Sequence, residues 1–231
     1  MAELFRRYGA NPRRLEPAAL TSFSMEVTVA AFDVDNTLTV RDCVVPFMRK
    51  VAGSTSLAVS VMRQPRRVLR LLLARDRDGL KALFVAATFT GKSVDEVADI
   101  AAFFASEIAE NWMRADVAER LRWHQEQGHV VVLVSASLQP YLDVLGDLLE
   151  VDAVLCTRLQ EEDGVYTGNL LGKNCRGEEK VSRLHEWCIA ANIPVESVKY
   201  AYGDSSGDHQ MLLSVDNGVL VKSIEVSRVP A

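Results

Sequence analysis

The sequence predicts an α/β fold, a three-layer core of parallel strands covered by helices, with an all-helical cap inserted after the first strand. Three observations carry this. Short apolar, β-branched runs ending in polar residues occur at 27–33 (V-T-V-A-A-F-D), 130–134 (V-V-V-L-V) and 198–202 (V-K-Y-A-Y), as expected of buried strands. Helical patterns lie between the second and third of these, and strand alternating with helix implies a parallel sheet covered on both faces. From 41 to 112 there is no strand pattern, only helical segments.

Taken in order, the 231 residues suit one medium domain with a smaller one inserted. Residues 1–24 carry Arg6-Arg7, Arg13-Arg14 and two prolines and read as a flexible basic arm. They lack the uninterrupted apolar stretch of a secretory signal. The core is expected over 25–40 and 113–231, and the cap over 41–112. Within the cap, Gly53, Pro65, Gly79 and Gly91 punctuate the helices, and Ser93 with Glu96 forms a capping box at the start of the last one. Helices follow at 113–127, stopped by Gly128, at 138–149 and at 178–191. Shorter strands are expected at 153–156 and 219–221. Asp163-Gly164 reads as the turn of a small hairpin flap over 161–168.

Charge is distributed unevenly. The net charge of -5 and pI near 5.5 argue against a protein that coats nucleic acid. Yet residues 41–91 hold ten Lys or Arg against three Asp, so this segment is +7 and the remainder -12. Either a solvated helical face or an anionic substrate, partner or membrane accounts for that asymmetry. Cys43, Cys156, Cys175 and Cys188 show no C-x-x-C pair or ligand spacing and read as reduced thiols of a cytoplasmic protein. His124 and His129 do not make a zinc-type pair. No apolar run approaches the roughly 18 residues of a membrane span.

Polar chemistry collects at the carboxyl ends of the strands, where open α/β sheets bind ligands. Asp33 and Asp35, in D-V-D-N-T-L-T, put two carboxylates at one strand end, so that one can attack or bind metal while the other handles protons. A turn with Asx hydrogen bonds would also account for them. Ser135-Ala136-Ser137 ends the second strand, where a hydroxyl and backbone N–H groups suit a phosphate oxygen. Ser137 is expected to cap the following helix. Lys180, near a helix start, could neutralise a transferring phosphoryl group or be merely solvated. In Gly203-Asp204-Ser205-Ser206-Gly207-Asp208, two carboxylates among small residues suit a hard cation such as Mg²⁺. A plain glycine-rich turn is the competing reading.

Together and in this order, the four elements resemble the haloacid dehalogenase superfamily, with its Rossmann-like core. The likeness runs over 27–221. It implies Asp33 as nucleophile, Asp35 as general acid/base, and Ser135, Ala136 and Lys180 around the phosphate. It also implies Mg²⁺ held by Asp33, the backbone carbonyl of Asp35, Asp204 and Asp208. The inserted helices and the run Gly172-Lys173-Asn174-Cys175-Arg176-Gly177-Glu178-Glu179-Lys180 resemble the phosphoserine-phosphatase-like subgroup. An aspartate at 35, absent from the family's ion pumps and unneeded by its dehalogenases, favours rapid phosphoenzyme hydrolysis. The resemblance therefore implies a Mg²⁺-dependent phosphatase acting on a small phosphorylated metabolite such as phosphoserine or histidinol phosphate.

Departures from the pattern fall at Asn36, where Gly or Ser is usual, at Asp42 in place of Glu, and at Gly207 in place of Asn. The cap arginine of phosphoserine phosphatases has no clear match; Lys81 lies nearest. Asp42 and Lys81 are the candidate specificity contacts, with helix capping and solvation as their structural alternatives. Competing functions are a phosphotransferase or phosphomutase on the same core, and a regulatory or membrane-surface protein acting through the basic cap. For the latter, residues 68–73 beside Arg66, Arg67, Arg70 and Arg75 could form a basic amphipathic surface. A receiver-type signalling domain, which also uses a phospho-aspartate, fails on the helical insertion.

Overall fold

The computed structural model describes residues 27–53 and 65–221; the arm expected at 1–24 lies outside the described residues, as do 54–64 of the expected cap. The described chain runs β1 (Val29–Phe32), α1 (Val44–Ala52), α2 (Pro65–Leu73), α3 (Arg77–Phe89), α4 (Val94–Asn111), α5 (Ala115–Glu126), β2 (Val130–Leu138) and α6 (Gln139–Leu148). It continues through β3 (Ala153–Glu162), β4 (Val165–Leu171), α7 (Glu178–Ala190), β5 (Val198–Gly203), α8 (His209–Leu213) and β6 (Asn217–Leu220). The sheet order is β4-β3-β2-β1-β5-β6, parallel throughout except for the β3–β4 hairpin. The α/β class with helices inserted after strand one is borne out.

Alternation along the strands sends side chains to two cores. Ala30, Phe32, Val131 and Leu133 join one apolar cluster; Val29, Ala31, Val132 and Val134 join the other. The second cluster takes Leu184, Trp187 and Cys188 of α7 with Met211 and Leu212 of α8. The first takes Tyr141, Leu142 and Leu145 of α6 and continues without a break into Phe47, Phe89 and Phe104 of the insertion. Phe47 and Phe104 lie 4.7 and 5.2 Å, ring to ring, from Tyr141. The inserted helices thus share the apolar core of the sheet.

Entry and exit of the insertion run side by side. Val40 donates its N–H to the Trp112 carbonyl at 2.8 Å, and Arg114 donates to the Leu38 carbonyl at 2.9 Å. The Arg41 guanidinium lies 3.5 Å over the Trp112 ring, a cation–π contact that ties the two linkers together. The hairpin adds a second tie. Its turn has Asp163 and Gly164 both at positive φ (50° and 77°), the conformation of a type I′ connection. Gly91 and Val94 of the insertion donate to the Tyr166 and Gly164 carbonyls.

Some local expectations are corrected. Ser93 occupies the N-cap position of α4 but makes no capping bond, and Glu96 pairs with Lys92 at 3.4 Å instead. The first N–H of the helix, that of Val94, is met from outside it by the Gly164 carbonyl, at 3.0 Å. Gly79 does not interrupt a helix. It sits in the first turn of α3, where its N–H is accepted by the capping Asp76 carboxylate at 2.8 Å. The strand expected at 153–156 extends to Glu162, because its second half pairs with β4.

Candidate active site

β1 has β2 on one side and β5 on the other, so the direction of chain progress reverses there and a crevice opens beyond the carboxyl ends of these strands. Asp33 leaves β1 at this point, its N–H bonded to the Tyr202 carbonyl of β5 at 2.9 Å. The chain then turns sharply. Asn36 adopts φ 59°, ψ 3°, a left-handed conformation that Asn tolerates better than most residues. The departure at this position is therefore accommodated. The turn brings the Thr37 hydroxyl back to donate to Asp33 Oδ2 at 2.9 Å.

Lys180, in the first turn of α7, is almost wholly buried and joins two elements. Its Nζ lies 2.6 Å from Asp33 Oδ1 and 2.6 Å from Asp208 Oδ1. Asp208 reaches this point because Gly203 has no side chain; a Cβ there would stand 2.5 Å from the Asp208 Cβ. The other Asp208 oxygen accepts from Ser205 N at 3.0 Å, Ser205 Oγ at 2.8 Å and Asp204 N at 3.3 Å. Carboxylate oxygens of Asp33, Asp204 and Asp208 lie within 4.8 Å of one another, all three buried. Lys180 is thus not a solvated surface lysine.

Two carboxylates share one ammonium, with Asp204 beside them, and the electrostatics follow. Burial pushes the Asp33 carboxyl up to about 7; Lys180 opposes this, while Asp208 and Asp35 add to it. Burial also acts to raise Asp208, but the Lys180 charge and the Ser205 donors outweigh it and hold this carboxyl below its usual range. Lys180 itself is raised, because its two carboxylates overcome the effect of burial. A buried oxygen-rich cluster with excess negative charge is a chemical fit to a small hard divalent cation. Asp33, Asp204 and Asp208 are the side chains that could hold one.

Asp35, two residues from Asp33, takes a different direction. Its Oδ1 accepts the Cys43 N–H at 2.9 Å and its Oδ2 accepts the Ser137 hydroxyl. Ser137 in turn accepts from the Tyr141 hydroxyl at 2.7 Å. Burial, and then the nearby Asp42 charge, raise the Asp35 carboxyl above its usual range. Ser137 was expected to cap the helix after β2. The structure places Leu138 at the N-cap and gives Ser137 to Asp35 instead. This function was missed in the sequence, because it joins residues separated by 102 positions.

The remaining candidates have partners outside this cluster. β2 continues through Ser135 to Leu138, beyond the strand expected at 130–134, and Ser135 is buried in it, its hydroxyl accepting the Ser137 N–H at 3.1 Å. The register with β3 shifts between Ser135 and Leu138, so the ladder is irregular where a phosphate-binding loop was expected. The Ala136 carbonyl accepts from Thr157 Oγ1 at 2.8 Å and from Lys81 Nζ. Lys81, reaching down from α3, also donates to Asn174 Oδ1 at 2.7 Å and to Thr157 Oγ1 at 3.3 Å. Burial lowers its pKa to about 8. It is a bridge between insertion and core. Asp42 is exposed, and its carboxylate accepts the Val45 N–H at 3.1 Å, the bond of a helix cap. At the remaining departure, Gly207, the Arg176 side chain lies where a Cβ would be, Nε 2.9 Å away. His124 is buried among Phe32, Tyr200, Tyr202 and Trp123, and burial followed by the neighbouring His129 lowers its pKa to about 3. All four cysteines are free and buried.

The family model for haloacid dehalogenase-like hydrolases matches residues 30–213. Protein CicA of Caulobacter vibrioides is 34% identical over 192 residues, spanning 83% of this chain and 84% of CicA. Phosphoserine phosphatase SerB1 of Mycobacterium tuberculosis is 27% identical over 212 residues, 85% of this chain and 66% of that one. A phosphoserine phosphatase solved as an analogue of its phospho-aspartyl intermediate superposes with a TM-score of 0.53 at 18% identity, covering 82% of this chain and 83% of that one. The likeness read from the motifs is borne out, and the chain belongs to the haloacid dehalogenase-like hydrolases.

Proposed function

We propose that this protein is a Mg²⁺-dependent phosphatase that hydrolyses a small phosphomonoester through a phospho-aspartate on Asp33. The observation that carries the reading is the division of labour between two neighbouring carboxylates. Asp33 sits with Lys180, Asp204 and Asp208, whereas Asp35 turns to Cys43 and Ser137. The family and its phosphatase relatives support it.

In the first step an Asp33 oxygen attacks phosphorus while the bond to the ester oxygen breaks, and Asp35 gives its proton to the departing alkoxide. In the second, water attacks phosphorus, Asp35 takes its proton, and the bond between phosphorus and Asp33 breaks. The raised Asp35 carboxyl suits the first role, since it must arrive protonated. Lys180 holds Asp33 in place and offsets charge where it accumulates. When bound, Mg²⁺ supplies further charge neutralisation for an anionic nucleophile meeting an anionic phosphate. Ser135 and the backbone at Ala136 are the proposed phosphate cradle. The inserted helices, tied to the core by Lys81, select the substrate.

Screening the purified chain against a panel of phosphomonoesters, with Mg²⁺ and with chelator, tests the reading. Activity that requires Mg²⁺, disappears in Asp33→Asn and passes through a hydroxylamine-sensitive acyl phosphate is expected. Near-native activity of Asp33→Asn would overturn it.

A further inference from the structure

The helix α2 projects its apolar face outward. Pro65, Leu69, Leu72 and Leu73 share one side of it at helical spacing, and Leu69, Leu72 and Leu73 are 57%, 56% and 78% exposed. Only Leu71 is buried, against the start of α3. Flanking the leucines on the same helix are Arg66 and Arg70, both exposed, with Arg75 and Arg77 just beyond its end. The acids nearest in sequence have structural partners: Asp76 caps α3, and Asp78 accepts from Asn174 Nδ2 at 2.6 Å. No catalytic candidate lies on this helix.

We infer that α2 is a docking surface for anionic lipid bilayers, its leucines entering the headgroup–acyl boundary and its arginines meeting lipid phosphates. Two features select this partner. A helix used only for folding turns its leucines inward, and this one turns three of four outward. Long aliphatic side chains beside a strip of arginines form the pattern of an interfacial helix, whose binding combines buried apolar area with attraction to anionic headgroups. A nucleic-acid surface would explain the arginines and leave the leucines without a role. The +7 charge of residues 41–91, against -12 elsewhere, gives the segment that carries α2 a net attraction to a negative surface. This inference stands apart from the phosphatase chemistry.

Co-sedimentation of the full chain with vesicles tests it, using phosphatidylcholine alone and phosphatidylcholine mixed with phosphatidylglycerol. Binding to the mixed vesicles is expected to exceed binding to the neutral ones by about tenfold or more and to weaken in high salt. Arg66→Glu with Arg70→Glu should reduce it by a further factor of at least about thirty. Leu69→Gln, Leu72→Gln and Leu73→Gln together should abolish it, with an unchanged melting temperature. Hydrolysis of a soluble aryl phosphate should match wild type in both variants. Absence of vesicle binding by wild type, or equal binding to neutral vesicles, would overturn the inference. A leucine variant that melts earlier, or that converts a dimer to a monomer in light scattering, would overturn it too, by showing the face covered by this chain or by a second copy.

Discussion

Asp33 is held in the metal-free protein at a cost in stability. Its folded-state pKa, about 7, lies above the 3.8 of a free side chain, because burial disfavours the anion more than Lys180 favours it. The folded state therefore binds this proton more tightly than the unfolded state does. Stability from this group is present at low pH and is lost as pH rises from about 4 through about 7. Asp33→Asn removes that loss, so metal-free Asp33→Asn should melt later than metal-free wild type near pH 8 while having no turnover. Thermal melts across pH check this, and an earlier melt would mean that the Lys180 ion pair outweighs burial. Asp35 gives a second prediction. Its side chain is oriented by Ser137, which Tyr141 holds in turn. Ser137→Ala should slow hydrolysis of alkyl phosphates by about 10–100-fold. Formation of the acyl phosphate from an aryl phosphate should be nearly spared, because that leaving group needs little protonation. Ser137→Thr should restore part of the loss. Equal effects on both ester types would reduce Ser137 to a packing residue.

Among the elements, α3 carries the connection between insertion and site. Lys81 donates to Ala136, Thr157 and Asn174, on β2, on β3 and on the loop before α7. Its hydrogens are committed to the core, so Lys81→Met should lower kcat/KM for the best metabolite and for a generic aryl phosphate alike, by about 10–100-fold, through displacement of the Ser135–Ala136 segment of β2. Selective loss on the metabolite alone would make Lys81 a substrate contact. Asp42 serves the first turn of α1. Asp42→Ala should lower stability by about 0.5–2 kcal/mol and treat both substrates equally.

For the whole molecule, the fold delivers groups from β1, β5 and α7 to one buried point and leaves it negatively charged. Mg²⁺ should therefore stabilise the fold as well as activate, by about 2.7 kcal/mol at a hundred times its dissociation constant, read as a raised melting temperature. Asp204→Asn should raise the Mg²⁺ requirement, and Ca²⁺ should inhibit, because its larger and looser shell disturbs in-line geometry. Full activity after chelation would sink the metal assignment. Among the described residues no helix is long and apolar enough to cross a membrane.

Sequence by itself determined the strands, the helical insertion and the motif residues of the site. Continuous apolar runs mark the buried strands and amphipathic patterns the helices, and Asp33, Asp35 and Asp204 stand directly after or near strand ends, where sheet topology makes ligand sites. Even Asp163-Gly164 at a hairpin turn was legible, because backbone conformation of this kind is a local property. Tertiary structure alone decided the partners. That Ser137 serves Asp35 rather than capping α6, and that Val94 bonds to the hairpin turn at Gly164, depended on groups brought together from distant positions. The same holds for the leucines of α2. Their spacing marks one face of a helix, but spacing does not say which way the helix is rolled, since that is fixed by the neighbours against which it packs.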